Sequence, residues 1–148
     1  MSIDILWMEE NILLQKLMHD DRQVICDLFK IRHYRAGDVI ISQGSSGGGL
    51  HILRSGNAVI TCNENNRFTF LADATEAALF GVMSFLTNED SSATVTAHGH
   101  CTVYELSRQG YCTLMVKNHE LLLSLLTHMV TYTSDVIKKM NRARAGEP

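Results

Sequence analysis

The apolar pattern of this chain changes period twice, and no other feature constrains its fold as strongly. Over residues 5–30, Ile5, Leu6, Met8, Ile12, Leu13, Leu17, Val24, Ile25 and Leu28 recur at three- and four-residue steps, which predicts N-terminal helices. Asp20-Asp21 is expected to interrupt them, because acidic caps accept the free amide hydrogens of a following helix. From His33 the period shortens. Val39-Ile40-Ile41, His51-Ile52-Leu53, Ala58-Val59-Ile60-Thr61 and Phe68-Thr69-Phe70-Leu71 are rich in β-branched and aromatic residues. Turn residues separate them at 44–49, Ser55-Gly56-Asn57 and 63–66. A short helix near Val82 to Leu86 precedes two further strands, Ser92–Ala97 and Cys101–Leu106. Ser107 then caps a helix to Lys117, and Asn118 caps a long one to Arg142. The expected fold is α+β, a jelly-roll β-barrel (33–106) with flanking N-terminal helices (1–32) and C-terminal helices (107–142). A chain of 148 residues predicts one domain over 1–148.

Charge and cysteine usage narrow the function classes. A formal net charge of −3 gives no general attraction to a polyanion, so direct DNA binding is not expected. Lys138, Lys139, Arg142 and Arg144 are read as cations complementing a helix C-terminus. The longest apolar run, Leu121–Leu126, is far short of a membrane span, and Met1-Ser2-Ile3-Asp4 lacks the basic start of a signal peptide. Cys26, Cys62, Cys101 and Cys112 have no CxxC spacing, which predicts free thiols in a reducing cytoplasm.

Leu122, Leu126, Met129, Thr133, Val136 and Met140 repeat in 4-3-4-3-4 steps along the long helix. A steady 3.5-residue period predicts a homodimer interface through residues 118–142. The alternative is that the stripe packs on the chain's own barrel.

Other constellations carry less. His98-Gly99-His100-Cys101 is the densest group of metal-capable side chains, yet zinc needs three or four ligands and no second cluster accompanies it. The glycine-rich run at 45–49 lacks the Gly-Lys-Ser/Thr of a phosphate loop and is read as a turn. No Ser-His-Asp order or Gly-x-Ser-x-Gly is present, so no enzyme, no metal and no cofactor is expected.

The stretch Phe80–Ala97 resembles the phosphate-binding cassette of the cyclic nucleotide-binding domain family, whose pattern is Phe-Gly-Glu, a short helix, then Arg, small residues and Ala-Thr/Ser-Val. Tyr34–Gly44 is similar to the family's opening strands, with Gly37-Asp38 and Gly44 in register, and Leu50–Ile60 to the next pair with its Ser55-Gly56 turn. The resemblance implies a sensor domain like that of catabolite activators. In such regulators the long C-terminal helix pairs two subunits and a helix-turn-helix module follows; here 143–148 are the last residues, which predicts a stand-alone regulatory or interaction module.

The resemblance also implies roles for two positions. Val82 stands where the family's Glu takes the ribose hydroxyl, and Ser91 where its Arg binds the phosphate. Each hydrogen bond to a charged group is worth about 1.5–3 kcal/mol, so cAMP and cGMP binding is not expected. The candidate degenerate pocket comprises Gly81, Val82, Met83, Ser84, Ser91, Ser92 and Thr94. Three readings stay open: an interaction module with its pocket filled by Val82, Met83, Phe85 and Leu86; a sensor of another small ligand; and, because haem-sensing relatives of this fold exist, a haem-based gas or redox sensor.

Overall fold

The computed structural model describes residues 2–46 and 48–146. Gly47, within the expected glycine-rich turn, lies outside them. The order is α1 (Ile5–Met8), a π-helical turn (Glu9–Leu13), α2 (His19–Leu28), β1 (Phe29–Tyr34), β2 (Val39–Ile41), β3 (Leu50–Ser55), β4 (Ala58–Glu64), β5 (Arg67–Ala74), β6 (Leu79–Phe80), α3 (Val82–Thr87), β7 (Thr94–Ala97), β8 (Cys101–Leu106), α4 (Arg108–Lys117) and α5 (His119–Arg144).

The strands form two four-stranded sheets, ordered β1-β8-β3-β6 and β2-β7-β4-β5, with antiparallel pairing throughout. The mixed helix-and-sheet, jelly-roll-like fold is as expected, but the sheets face each other and do not close into a barrel. Between them lies a core of Ile40, Ile41, Leu53, Phe80, Val95 and Val103. A second core packs the helices on the outer face of the first sheet, with Met8, Ile12, Ile25, Leu50, Ile52, Leu106 and Leu125 fully covered. The first sheet is thus buried on both faces, so the four consecutive residues Leu50, His51, Ile52 and Leu53 are all buried.

Three expectations are corrected. The N-terminal helices break at Leu14–Met18 and not at Asp20-Asp21, which sit in the first turn of α2. The cause is tertiary. The buried Glu9 carboxylate accepts the Leu17 amide and pairs with Arg22 Nη2 at 2.8 Å, reeling the chain back while Leu14 turns at φ 54°. The Leu17 hydrogen bond holds the Glu9 pKa below its ordinary value, against the opposing effect of burial. Second, the sheets start at Phe29, inside the span expected to be helical, because Phe29–Tyr34 pairs with Cys101–Leu106 over its whole length. Third, the last cassette strand starts at Thr94, two residues later than expected.

The C-terminal caps are as read from sequence. Ser107 Oγ accepts Gly110 N–H at 3.0 Å, and Asn118 Oδ1 accepts Leu121 N–H at 3.0 Å. Leu122 (5% exposed), half-buried Leu126 and Met129 (0%) pack into the helical core, Thr133 is half-buried, and Val136 and Met140 are exposed. The six-residue seam is therefore split: its first half packs into the chain's own helical core, Thr133 and Val136 face the cassette, and Met140 is the member most open to a partner.

Candidate functional site

The cassette residues are placed by two left-handed turns around α3. Gly81 precedes the helix at φ 74°, where a Cβ would come within 3.0 Å of the Gly49 carbonyl oxygen. Asn88 ends it at φ 61°, a conformation its short amide tolerates. Arg108 of α4 donates to the Phe85 carbonyl, and its guanidinium lies 5.8 Å from the Phe85 ring centroid, so a cation sits at the C-terminal end of α3.

This arrangement leaves a cleft of about 310 Å³ between the cassette, the inner strands and α5. Of the expected residues, Gly81, Val82, Met83, Ser84, Ser91 and Ser92 line it. Thr94 does not. Its neighbour Val95 points inward, so alternation turns Thr94 away, and its hydroxyl accepts Gln43 N–H at 3.0 Å. Val82 is 7% exposed and joins Phe85 in the helical core, while Met83 is 59% exposed and Leu86 is also exposed. The cassette side chains thus wall the cleft without filling it.

Ser91 is 7% exposed and woven into the backbone: its carbonyl accepts Gly44 N–H at 2.8 Å, and its N–H donates to the Ser45 carbonyl at 2.9 Å. Ser45 Oγ lies 3.4 Å from its hydroxyl. Ser84 Oγ donates to the Glu89 carbonyl at 2.7 Å, and Thr133 Oγ1 donates to the Met129 carbonyl at 2.9 Å. The charged groups on the cleft are the exposed carboxylates of Glu89 and Asp90; among its described lining residues there is no Lys, Arg or His.

Sequence reasoning missed three participants. Tyr132 of α5, half-buried, forms the far wall, and burial raises its hydroxyl pKa. Arg108 acts through a backbone carbonyl, which leaves no residue-type signature. His51, 6% exposed, places Nδ1 3.0 Å from the Gly49 carbonyl and Nε2 3.1 Å from Glu105 behind Gly81; burial lowers its pKa, opposed by the Glu105 charge. Registers alone pair His51 with Glu105, and registers become visible only in the sheet.

A second hollow of about 830 Å³ lies on the other flank of α5, with Ile60, Tyr132 and Val136 common to both. His128 borders it; its Nε2 is buried without a hydrogen-bond partner, and burial pushes its pKa down. The remaining histidine cluster sits elsewhere. His98 and His100 flank the β7–β8 turn, and His100 stacks on His33 with centroids 5.9 Å apart.

The sequence profile of the cyclic nucleotide-binding domain matches residues 31–118, more than half of the chain. The chain belongs to this family. Among its relatives, the cAMP-dependent protein kinase regulatory subunit of Mucor circinelloides f. lusitanicus is 25% identical over 109 residues, covering 74% of this chain and 26% of that subunit. The corresponding subunit of Blastocladiella emersonii is 29% identical over 110 residues, covering 74% and 27%. The chain thus spans about a quarter of the length of these relatives. A cyclic nucleotide-binding domain from Methylobacillus flagellatus superposes with a TM-score of 0.81 at 16% identity, over 93% of this chain and 77% of that one, a likeness of fold. Within the family frame, the two positions that the resemblance gives to Glu and Arg hold the buried Val82 and Ser91.

Proposed function

We propose that this chain is a regulatory domain, not an enzyme, that keeps the family's fold but does not hold cAMP or cGMP. One observation carries the reading: the cleft's charged lining is Glu89 and Asp90, with no cation among its described lining residues to meet a phosphate. Losing two charge-assisted contacts removes about 3–6 kcal/mol of binding, which weakens a micromolar ligand by about two to four decades, to between about 0.1 and 10 mM. The domain, taken as one unit over residues 1–148, acts in the cytoplasm, where its four free cysteines remain thiols. No helix among the described residues is long and apolar enough to cross a membrane.

Output passes through α5, whose Val136 is both part of the cleft wall and partly exposed, and whose Met140 is exposed beyond the cleft. Those two residues support a homodimer or a protein partner at the distal half of the helix, and the relatives' names, regulatory subunits of a kinase, accord with a protein partner. Calorimetric titration with cAMP and cGMP tests the reading. A dissociation constant below about 10 µM, near −7 kcal/mol, overturns it.

A second reading, a sensor of a different small ligand, is favoured by the cleft itself. It stays open at about 310 Å³, at the small end of the range of ligand sites.

A further inference from the structure

We infer that two copies of this chain pair antiparallel along the outer face of α5, through Leu123, Val130 and Ile137, with Val130 at the midpoint. This rests on the homodimer half of the proposed reading, and it names a different seam from the expected one. The helix buries Leu121, Leu122, Leu125 and Met129 against its own core. The face turned away from a core is ordinarily polar. Here it carries Leu123, Val130 and Ile137, which are 64%, 60% and 52% exposed. Each follows a residue of the expected seam by one position, after Leu122, Met129 and Val136 in turn. The three therefore keep the seven-residue repeat that packs one helix along another, on a face that is open. Thr127 lies on the same line, and its Oγ1 donates to the Leu123 carbonyl at 2.8 Å, so its hydroxyl needs no outside partner. Met140, also exposed, follows Ile137 one turn later. Ile137 lines the cleft of about 310 Å³ as well, so one side chain belongs both to the cleft wall and to the stripe.

Charge selects both the partner and its direction. The distal end of α5 carries Lys138, Lys139, Arg142 and Arg144, with Asp135 against them. The corner where α5 begins carries Glu120 in its first turn and Asp20 and Asp21 in the first turn of α2, with Lys117 against them. Asn118 Nδ2 donates to Asp21 Oδ1 at 2.6 Å, which holds the two helix starts together. None of these charged groups is engaged in an ion pair among the described residues. Parallel copies set the basic end of one beside the basic end of the other. Antiparallel copies lay each basic end over the other's acidic corner, which is complementary. Glu120 and Lys138 fit this direction, because they lie about five turns apart on one flank of the stripe. A two-fold axis across the helices at Val130 brings like flanks together, so each Glu120 meets the other copy's Lys138. A partner of another sequence needs the complement of both features. A second copy has it by symmetry, and the pairing closes at two.

The test is sedimentation equilibrium of the full chain from about 1 to 200 µM, the range of a weak to moderate dimer. The wild type is expected to associate to twice 16.5 kDa. Val130→Glu should weaken the dimer by about thirtyfold or more, the scale of a central interface residue. Its circular dichroism should match wild type, since Val130 is exposed. Raising the ionic strength from about 20 to 500 mM should weaken an antiparallel dimer, whereas it tightens a parallel one by screening like charges. Direction is read from Leu123→Cys and Ile137→Cys chains, each also carrying Cys112→Ser to remove an exposed thiol. In antiparallel copies the two Leu123 positions are about 20 Å apart. A bismaleimide too short for that span should join the two variants only when they are mixed. A chain that stays at 16.5 kDa, a dimer that Val130→Glu leaves intact, tightening with salt, or cross-links of each variant to itself overturns the inference. All four leave standing the regulatory reading, which fails by binding of cAMP or cGMP, so the two failures are distinguishable.

Discussion

Replacing Val82 by Glu and Ser91 by Arg together should create nucleotide binding in this fold. Val82 and Ser91 are each 7% exposed and both line the cleft, so the new side chains start from the correct walls. Two charge-assisted contacts contribute about 1.5–3 kcal/mol each, or two to four decades in affinity at about 1.4 kcal/mol per decade. The gain should fall at the lower end, because Glu89 and Asp90 lie beside position 91 and compete for the Arg. The single changes behave differently. Val82→Glu alone inserts a carboxylate at the edge of the helical core with no partner, costing about 1–3 kcal/mol of stability. Ser91→Arg alone neutralises the acids of the cleft and leaves the ribose hydroxyl unmatched. In the double variant the two new charges are of opposite sign on the walls of one cleft, so a double-mutant cycle on melting temperature should show favourable coupling. Calorimetry with cAMP and cGMP across all four proteins provides the binding arm. If the double variant melts like wild type and ignores both nucleotides at about 1 mM, near −4 kcal/mol, the missing pair is not what keeps them out, and the reasoning is refuted.

Three further outcomes are expected. His128 has its pKa depressed from 6.5 by burial, so its neutral form is the one the fold favours; stability is held above about pH 6.5 and lost as pH falls through the lower folded value. His128→Leu, which removes the unpartnered Nε2, should add about 1 kcal/mol near neutrality and flatten denaturation midpoints between about pH 7 and 5, with His51 supplying what slope remains; an unchanged slope contradicts the assignment. Met140→Asp, at a side chain 52% exposed, should convert a sedimenting dimer to monomer without lowering the melting temperature, and a wild type that sediments at 16.5 kDa removes the dimer altogether. Met129→Ala should instead cost about 2–5 kcal/mol by opening a cavity in the core, read as a lower urea midpoint at unchanged slope.

Much of the architecture was legible because local chemistry and tertiary structure agree there. Ser107 and Asn118 cap where their side chains can reach the next amides, and Cys101–Leu106 is a strand to the residue. The misreadings occur where a distant group decides. Leu14 carries no glycine or proline signal, and its turn follows from Glu9 gripping Leu17 and Arg22. Phe29–Tyr34 continues a helical apolar rhythm, yet β8 offers it a full ladder. At the site, the cassette frame named the lining residues Gly81, Val82, Met83, Ser84, Ser91 and Ser92, while strand alternation turns Thr94 outward and the walls from β2, β4 and α5 carry no cassette signal. Openness was not legible. Whether Val82 and Phe85 fill a pocket or anchor in a neighbouring core depends on packing behind α3, which no spacing encodes.

Ile60, Tyr132 and Val136 border both hollows, which makes α5 a party wall between two rooms. A sideways shift of the helix that enlarges the room of about 310 Å³ narrows the one of about 830 Å³. Two tenants would therefore contend for the same wall without ever touching. By thermodynamic reciprocity, whatever factor the first takes from the second's affinity, the second takes from the first's.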